Sequence, residues 1–273
     1  MRAFVIALLL AATGFAQAQP ITVVTMTGSG SLSDTVLRQV QADVEREVGQ
    51  PIVVANNPGA GGLLAARQVA QAPADGLTIL VGNSSLEYLA LTGSNPVGEG
   101  FVPLAGLAQS AFGILVPSAS PAKRSADLAG LQDPLVGVAS PMSAMSASLL
   151  DAKLGMHSTQ VPYKQFGQAL ADLAAGRIHY MTGPLTASAV QGLVQSGHIR
   201  VLGSLREIGV PDFGWSGFFV RSTTPVEVRQ HLAAALQRAV SASRAEGALP
   251  VDGRELQRMQ SAELPQMRRA LGI

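Results

Sequence analysis

The chain has 273 residues, 19 Lys and Arg against 18 Asp and Glu, and no cysteine. That balance provides no basic block to hold a nucleic-acid backbone or an anionic membrane. The missing thiols exclude disulfides, cysteine nucleophiles and cysteine metal sites, and a chain of this length can bury a sufficient core without cross-links.

Residues 1–18 read as a secretory signal. Arg2 is the only charge before an apolar run from Phe4 to Phe15, and Ala16-Gln17-Ala18 supplies a small-x-small cleavage pattern. The run is too short to span a bilayer, and no later run is long and apolar enough. With Arg2 removed, 18 basic residues face 18 acidic ones, and no cysteine is present for a lipid anchor. The expectation is a monomeric, freely soluble protein of the periplasm.

Ile21 to Met26 is a β-branched run that suits a buried strand. Thr27 to Ser31 follows with small hydroxyls and two glycines, which let backbone N–H groups point outward. Ser31 is placed as an N-cap with Asp34 in the capping-box position, and Val36, Leu37, Val40, Val44 and Val48 mark one face of a helix. A helix N-terminus carries unpaired N–H donors and roughly half a positive charge. The loop therefore suits a small anion, such as a carboxylate. The same residues also make an ordinary strand-to-helix turn, and on local pattern both readings stand.

Pro51 to Asn56 reads as a second strand, Asn57 to Gly62 as a turn, and Leu63 to Ala72 as a helix. Leu77 to Gly82 is a third strand that opens into the polar loop Asn83-Ser84-Ser85. Continuous apolar strands alternating with helices predict a parallel sheet. Ligands then sit at the C-terminal strand ends, which puts Thr27–Ser31 and Asn83–Ser85 on one edge. Ser125 to Gly130 reads as a short helix and Leu135 to Ala139 as a strand. Ser140 to Ser146 is a polar loop leading into a helix to about Leu154. Ile178 to Thr182 is a strand ending at Gly183-Pro184, and Pro225 opens an amphipathic helix marked by Val228, Leu232, Leu236 and Val240.

Asp34 and Arg38 after the opening loop, Pro51 to Gly62, Val161-Pro162-Tyr163-Lys164, Trp215-x-Gly217 and Thr224-Pro225 together resemble the periplasmic Bug-type receptors of tripartite tricarboxylate transporters. The resemblance implies an α/β fold with two lobes of the type II-like periplasmic-binding-protein kind. It also implies mostly parallel sheets, a hinge and a ligand in the cleft between lobes. The expected division is 19–118 with 221–273 as lobe 1 and 119–220 as lobe 2. The implied ligand is a small organic acid, held at Thr27, Ser29, Gly30, Ser31, Asp34, Asn83, Ser84, Ser140, Ser143, Thr182 and Gly183. Several positions depart from the family pattern. Ala55 stands at an acidic position and Asn57 at a basic one, the loop at Ser140–Ser146 lacks the usual glycines and His, and Gly183 stands where family members carry Asp.

Catalytic and cofactor patterns are missing. His157, His179, His198 and His231 show no metal spacing, and there is no Gly-x-Ser-x-Gly elbow. Ser120-x-x-Lys123 has Pro121 inside it and lacks its partner motifs. The chain is expected to need no cofactor and to be no enzyme. The expected role is a receptor that passes a carboxylate to membrane permease subunits. The alternative is a ligand sensor on the same scaffold, signalling to a membrane partner such as a sensor kinase, and a hydrolase is the third possibility.

Overall fold

The computed structural model describes residues 19–93, 100–211 and 213–273; the expected signal segment lies outside them. Strands β1 (Ile21–Thr25), β2 (Ile52–Asn56), β3 (Thr78–Asn83) and β4 (Phe101–Gln109) alternate with helices α1 (Leu32–Val48), α2 (Leu63–Gln71) and α3 (Ser85–Leu91). After β4 the chain forms β5 (Phe112–Pro117), β6 (Leu135–Val138), α4 (Pro141–Leu154), β7 (Thr159–Pro162), α5 (Phe166–Ala174), β8 (Tyr180–Pro184), α6 (Ser188–Gln195) and β9 (Ile199–Ser204). It closes with β10 (Trp215–Arg221), α7 (Val226–Ala242) and α8 (Gly253–Leu271).

The strands make two five-stranded sheets, β2-β1-β3-β10-β4 and β7-β6-β8-β5-β9. Each is parallel on one side, where crossover helices connect its strands. Each is antiparallel around the strand that enters from the other sheet. The chain therefore crosses at Ser110–Ala111 and returns between β9 and β10. Each crossing comes earlier than the expected boundaries at 118/119 and 220/221. β5 belongs to lobe 2 and β10 to lobe 1, because Ile114 and Val116 pack in the second lobe's core while Phe218 and Val220 pack in the first. The crossings run side by side. Ser110 N–H donates to Gly214 O at 2.9 Å, and a Cβ on Gly214 would lie 1.9 Å from Ser110 O, so only glycine permits this approach.

Each sheet is covered on both faces, which places four apolar layers in the molecule. In lobe 1, Val36, Leu37 and Val40 of α1 and Leu236 of α7 pack on one face, while Ala65 of α2, Leu86 of α3 and Leu256 of α8 pack on the other. In lobe 2, Ala147 and Leu150 of α4 cover one face and Leu170 and Leu173 of α5 the other. The period-3.6 stripe of α1 read from the sequence is the face that is buried.

A fifth cluster joins the lobes. Met142 and Met145 of α4 meet Met267 of α8, Phe213 of the return crossing, and the partly buried Tyr88 and Leu91 of α3. Phe213 holds a left-handed backbone, φ 42°, which is unfavourable for an aromatic residue. Its ring is 3% exposed, so burial in this seam holds the strained conformation.

Candidate ligand-binding site

β1 ends at the C-terminal edge of its sheet, and the loop to α1 is built around Asp34. This carboxylate is 2% exposed. Its Oδ2 accepts from Gly30 N–H at 2.9 Å and from the Ser29 hydroxyl at 3.3 Å. Its Oδ1 accepts from Asn56 Nδ2 at 2.9 Å and from Arg38 Nε at 3.1 Å. Burial works to raise its pKa, but the Gly30 amide, Asn56 and Arg38 outweigh it and hold the carboxyl below its ordinary value. Ser31 Oγ accepts the Asp34 N–H at 3.3 Å as the N-cap and donates to Thr27 Oγ1 at 2.8 Å. Asn56 also donates to Thr25 Oγ1 and Thr27 O.

Asp34 is thus turned inward, and with Thr27 and Ser31 its side chain fixes the shape of the loop. The donors left over are main-chain ones. Among the described residues the N–H groups of Gly28 and Ser29 meet no acceptor, and Leu32 and Ser33 contribute the unpaired first amides of the 17-residue α1. Ser29 and Gly30 are exposed at the tip.

β3 lies parallel to β1 and delivers its loop to the same edge, as expected. Asn83 Oδ1 accepts from Ser85 N–H at 2.9 Å, and its Nδ2 has no acceptor among the described residues. Ser84 is turned the other way. It is fully buried, and its hydroxyl donates to Glu263 of α8 at 2.8 Å, so it ties α3 to α8 rather than lining the edge.

In lobe 2, Ser140 and Ser143 form the cap of α4. Ser140 Oγ accepts from Ser143 N–H at 3.1 Å, and Ser143 Oγ accepts from the N–H groups of Ala139 and Ser140, each at 2.9 Å. Their hydroxyls serve the helix start. The unpartnered hydroxyls are deeper. Ser146 and Thr182, 0% and 1% exposed, have Oγ atoms with no partner among the described residues, as does Thr186. Gly183 is buried with Phe166 over it, and a Cβ there would lie 2.9 Å from two of the ring carbons. A carboxylate side chain at this position would have to displace the Phe166 ring.

The loops of the two lobes meet. A Cβ placed on Gly247 would lie 3.2 Å from Leu32 Cδ1 and 3.6 Å from Thr186 Oγ1, which brings the start of α1 beside the end of β8. A Cβ on Gly61 would lie 2.7 Å from Pro141 Cγ, so the 3-10 turn Gly59–Gly62 sits against the start of α4. That turn keeps Ala60, Gly61 and Gly62 at positive φ. The sequence reading treats it as a plain turn; its glycine run is the signal for this close approach. Thr186 is not singled out in the sequence either, because nothing in the local pattern separates it from any loop threonine. Asp34 is the only charged residue in the segments 26–34, 58–62, 83–85, 139–146 and 182–187. What the loops offer is a set of neutral donors, which suits an anion of modest size.

Two sheet-and-helix lobes with paired crossings and facing strand-end loops define a two-lobed solute receptor of the periplasmic-binding-protein type. The family model described as "Tripartite tricarboxylate transporter family receptor" matches residues 36–269. The chain belongs to that family, whose members are solute-binding receptors rather than enzymes. It is 29% identical to Protein BugT of Bordetella pertussis over 268 residues, 86% of this chain and 82% of that protein. The fold is similar to MatC (Rpa3494) from Rhodopseudomonas palustris with bound malate, at a TM-score of 0.75 and 26% identity over 92% of this chain and 98% of that one. It is also similar to R. palustris Rpa4515 with adipate, at a TM-score of 0.79 and 26% identity over 93% and 97%.

Proposed function

We propose that this chain is a periplasmic receptor that encloses a small organic carboxylate between its lobes and delivers it to the membrane permease of a tripartite transporter. The observation that supports the reading is that unpaired main-chain N–H groups open α1 while the Leu32 side chain and the unpartnered Thr186 hydroxyl of lobe 2 both lie against Gly247. One carboxylate group takes the amides of Gly28 and Ser29 and the N-terminus of α1, with Asn83 Nδ2 beside it. The far end of the ligand takes Thr182 and Thr186 as the lobes close. A short dicarboxylate fits this arrangement, and the malate and adipate of the two similar structures are of that class. Ser140, Ser143 and Gly183 shape the lobe 2 wall through backbone and packing.

A thermal-shift screen of residues 19–273 against mono-, di- and tricarboxylates tests this. At 100-fold excess over Kd a true ligand stabilises the protein by about 2.7 kcal/mol. Ser29→Trp, which fills the exposed loop tip, is expected to abolish the shift. A screen with no stabilising acid on folded protein overturns the reading.

A further inference from the structure

We propose that a groove on lobe 1, facing away from the ligand loops, docks an acidic segment with apolar flanks on the membrane permease; this rests on the receptor function proposed above. The groove has a volume of about 610 Å³ and is walled by Phe101–Leu104 at the start of β4, by α7 and by the first turns of α8. An adjoining concavity of about 460 Å³ on α8, lined by Arg254, Gln257, Arg258 and Ser261, shares the first two residues with it.

Charge points to the occupant. Arg229 lines the groove with its Nε buried and without an acceptor among the described residues. Arg254 beside it makes no ion pair among them either. The one carboxylate in the lining, Asp252, accepts the Glu255 N–H at 2.8 Å as the cap of α8. Arg258, next along α8, is already paired with Glu255. A guanidinium nitrogen withdrawn from water without an acceptor is unfavourable, and a carboxylate supplies what its planar donors match. Around the two arginines the lining is mixed: Phe101–Leu104 and Val226, 49% exposed, give it an apolar side, and Gln230, Gln237 and Gln257 add neutral polar groups.

The backbone leaves room for a partner at this place. β4 is the edge strand of its sheet. Its second half is covered by the segment before α8, through Gly106 N–H to Val251 O and Leu249 N–H to Leu107 O. Its first half borders the groove. Because β3 and β4 both run antiparallel to β10, Phe101 lies at the sheet edge opposite the Thr27–Ser31 loop.

α8 gives the groove a reason to be read. This 19-residue helix, roughly 28 Å long, begins in the groove and carries Met267 into the seam with Met142 and Met145 of α4. A partner seated on its first turn contacts a helix whose other end, past the interior Pro265, rests on lobe 2, so docking is sensitive to whether the lobes are together.

The test uses the mature chain and the two membrane subunits of a tripartite tricarboxylate transporter reconstituted in phosphatidylcholine vesicles, with co-sedimentation as the readout. Wild type is expected to bind, more weakly at high salt. Arg229→Glu with Arg254→Glu is expected to lower affinity about tenfold or more, while Lys123→Glu on lobe 2 leaves it unchanged. The double variant is expected to keep wild-type melting behaviour and its carboxylate-induced stabilisation. That measurement stands apart from docking, so a lost receptor function and a lost docking site are distinguishable. Binding by the double variant within twofold of wild type overturns the proposal. Equal binding to empty vesicles, or self-association abolished by the double variant without vesicle binding, overturns it as well.

Discussion

The two sides of the cleft are built on opposite plans. On lobe 1 every side chain of the opening loop has a partner: Asp34 alone gathers four donors, and Ser31, Thr27 and Asn56 complete a closed network. On lobe 2 the hydroxyls of Ser146, Thr182 and Thr186 are left unpartnered, two of them on fully buried residues. The first plan presents rigid main-chain donors that any carboxylate can use. The second leaves side-chain groups without partners, and on the proposed function these are the groups that would choose between acids.

No expected effect exceeds that of breaking the rigid side. Asp34→Ala leaves the half-buried Asn56 amide short of an acceptor and unties the loop from Gly30 and Arg38, which are exposed, and a loss of about 3 kcal/mol is expected in urea unfolding. The wild-type protein should also lose stability in acid, for a reason that fixes the sign. The folded carboxyl of Asp34 is held below its ordinary value of 3.8, so its contribution is present above that pH and vanishes as the pH falls through the folded value. A variant whose acid limb matches wild type would show that Asp34 does not hold the loop.

Gly183→Asp restores the residue the family pattern carries and tests the other side. The new side chain must displace Phe166 and bury a carboxylate beside it, with an expected loss of about 3 kcal/mol. Recovery of full stability in a Gly183→Asp, Phe166→Ala double variant would assign the loss to that contact. This is a place where the sequence could be read only halfway. The missing carboxylate is visible at position 183, but the ring that fills its space comes from Phe166, on another element.

Much of the fold was legible for a simple reason. Apolar runs, a capped amphipathic helix and glycine-bounded loops are local, and their order alone places the strand-end loops on one edge. The crossings were not legible, because β5 and β10 are apolar strands that would satisfy either sheet; only their neighbours decide. Within the site, the Ser31 cap was readable at its spacing of three. The bond from Asn56 to Asp34 spans 22 residues, and the one from Ser84 to Glu263 spans 179. No periodicity reports such pairs, so the sequence does not show that the Asp34 and Ser84 side chains have partners within the protein.

Lobe 1 also buries a titratable group. Glu87 on α3 is buried with its pKa pushed up to about 7, chiefly by desolvation. Gln260 of α8 donates to one carboxylate oxygen, and the other has no partner among the described residues. Its folded pKa exceeds the ordinary 4.5, so stability declines as pH rises from 4.5 to 7 and is level beyond. Glu87→Gln should flatten that decline and stabilise the protein at pH 8 by up to about 3 kcal/mol. Unfolding midpoints that fall between pH 5 and 8 equally in both proteins would show that Glu87 stays ionised without penalty.

The smallest expected change in stability is the one that bears most on function. Thr182→Val removes a buried hydroxyl that has no partner and adds a methyl group of nearly the same shape. A partner-less polar group gives nothing to the empty protein, so stability without ligand should be unchanged or higher by about 1 kcal/mol. The enclosed acid, however, loses an acceptor or donor, and its affinity should fall about tenfold. Ser29→Ala is the matching change on the rigid side. It removes one weak bond to Asp34 and leaves the amides in place, so affinity should hold. If instead Ser29→Ala weakens binding and Thr182→Val does not, the opening loop does the selecting and lobe 2 acts only as a cover.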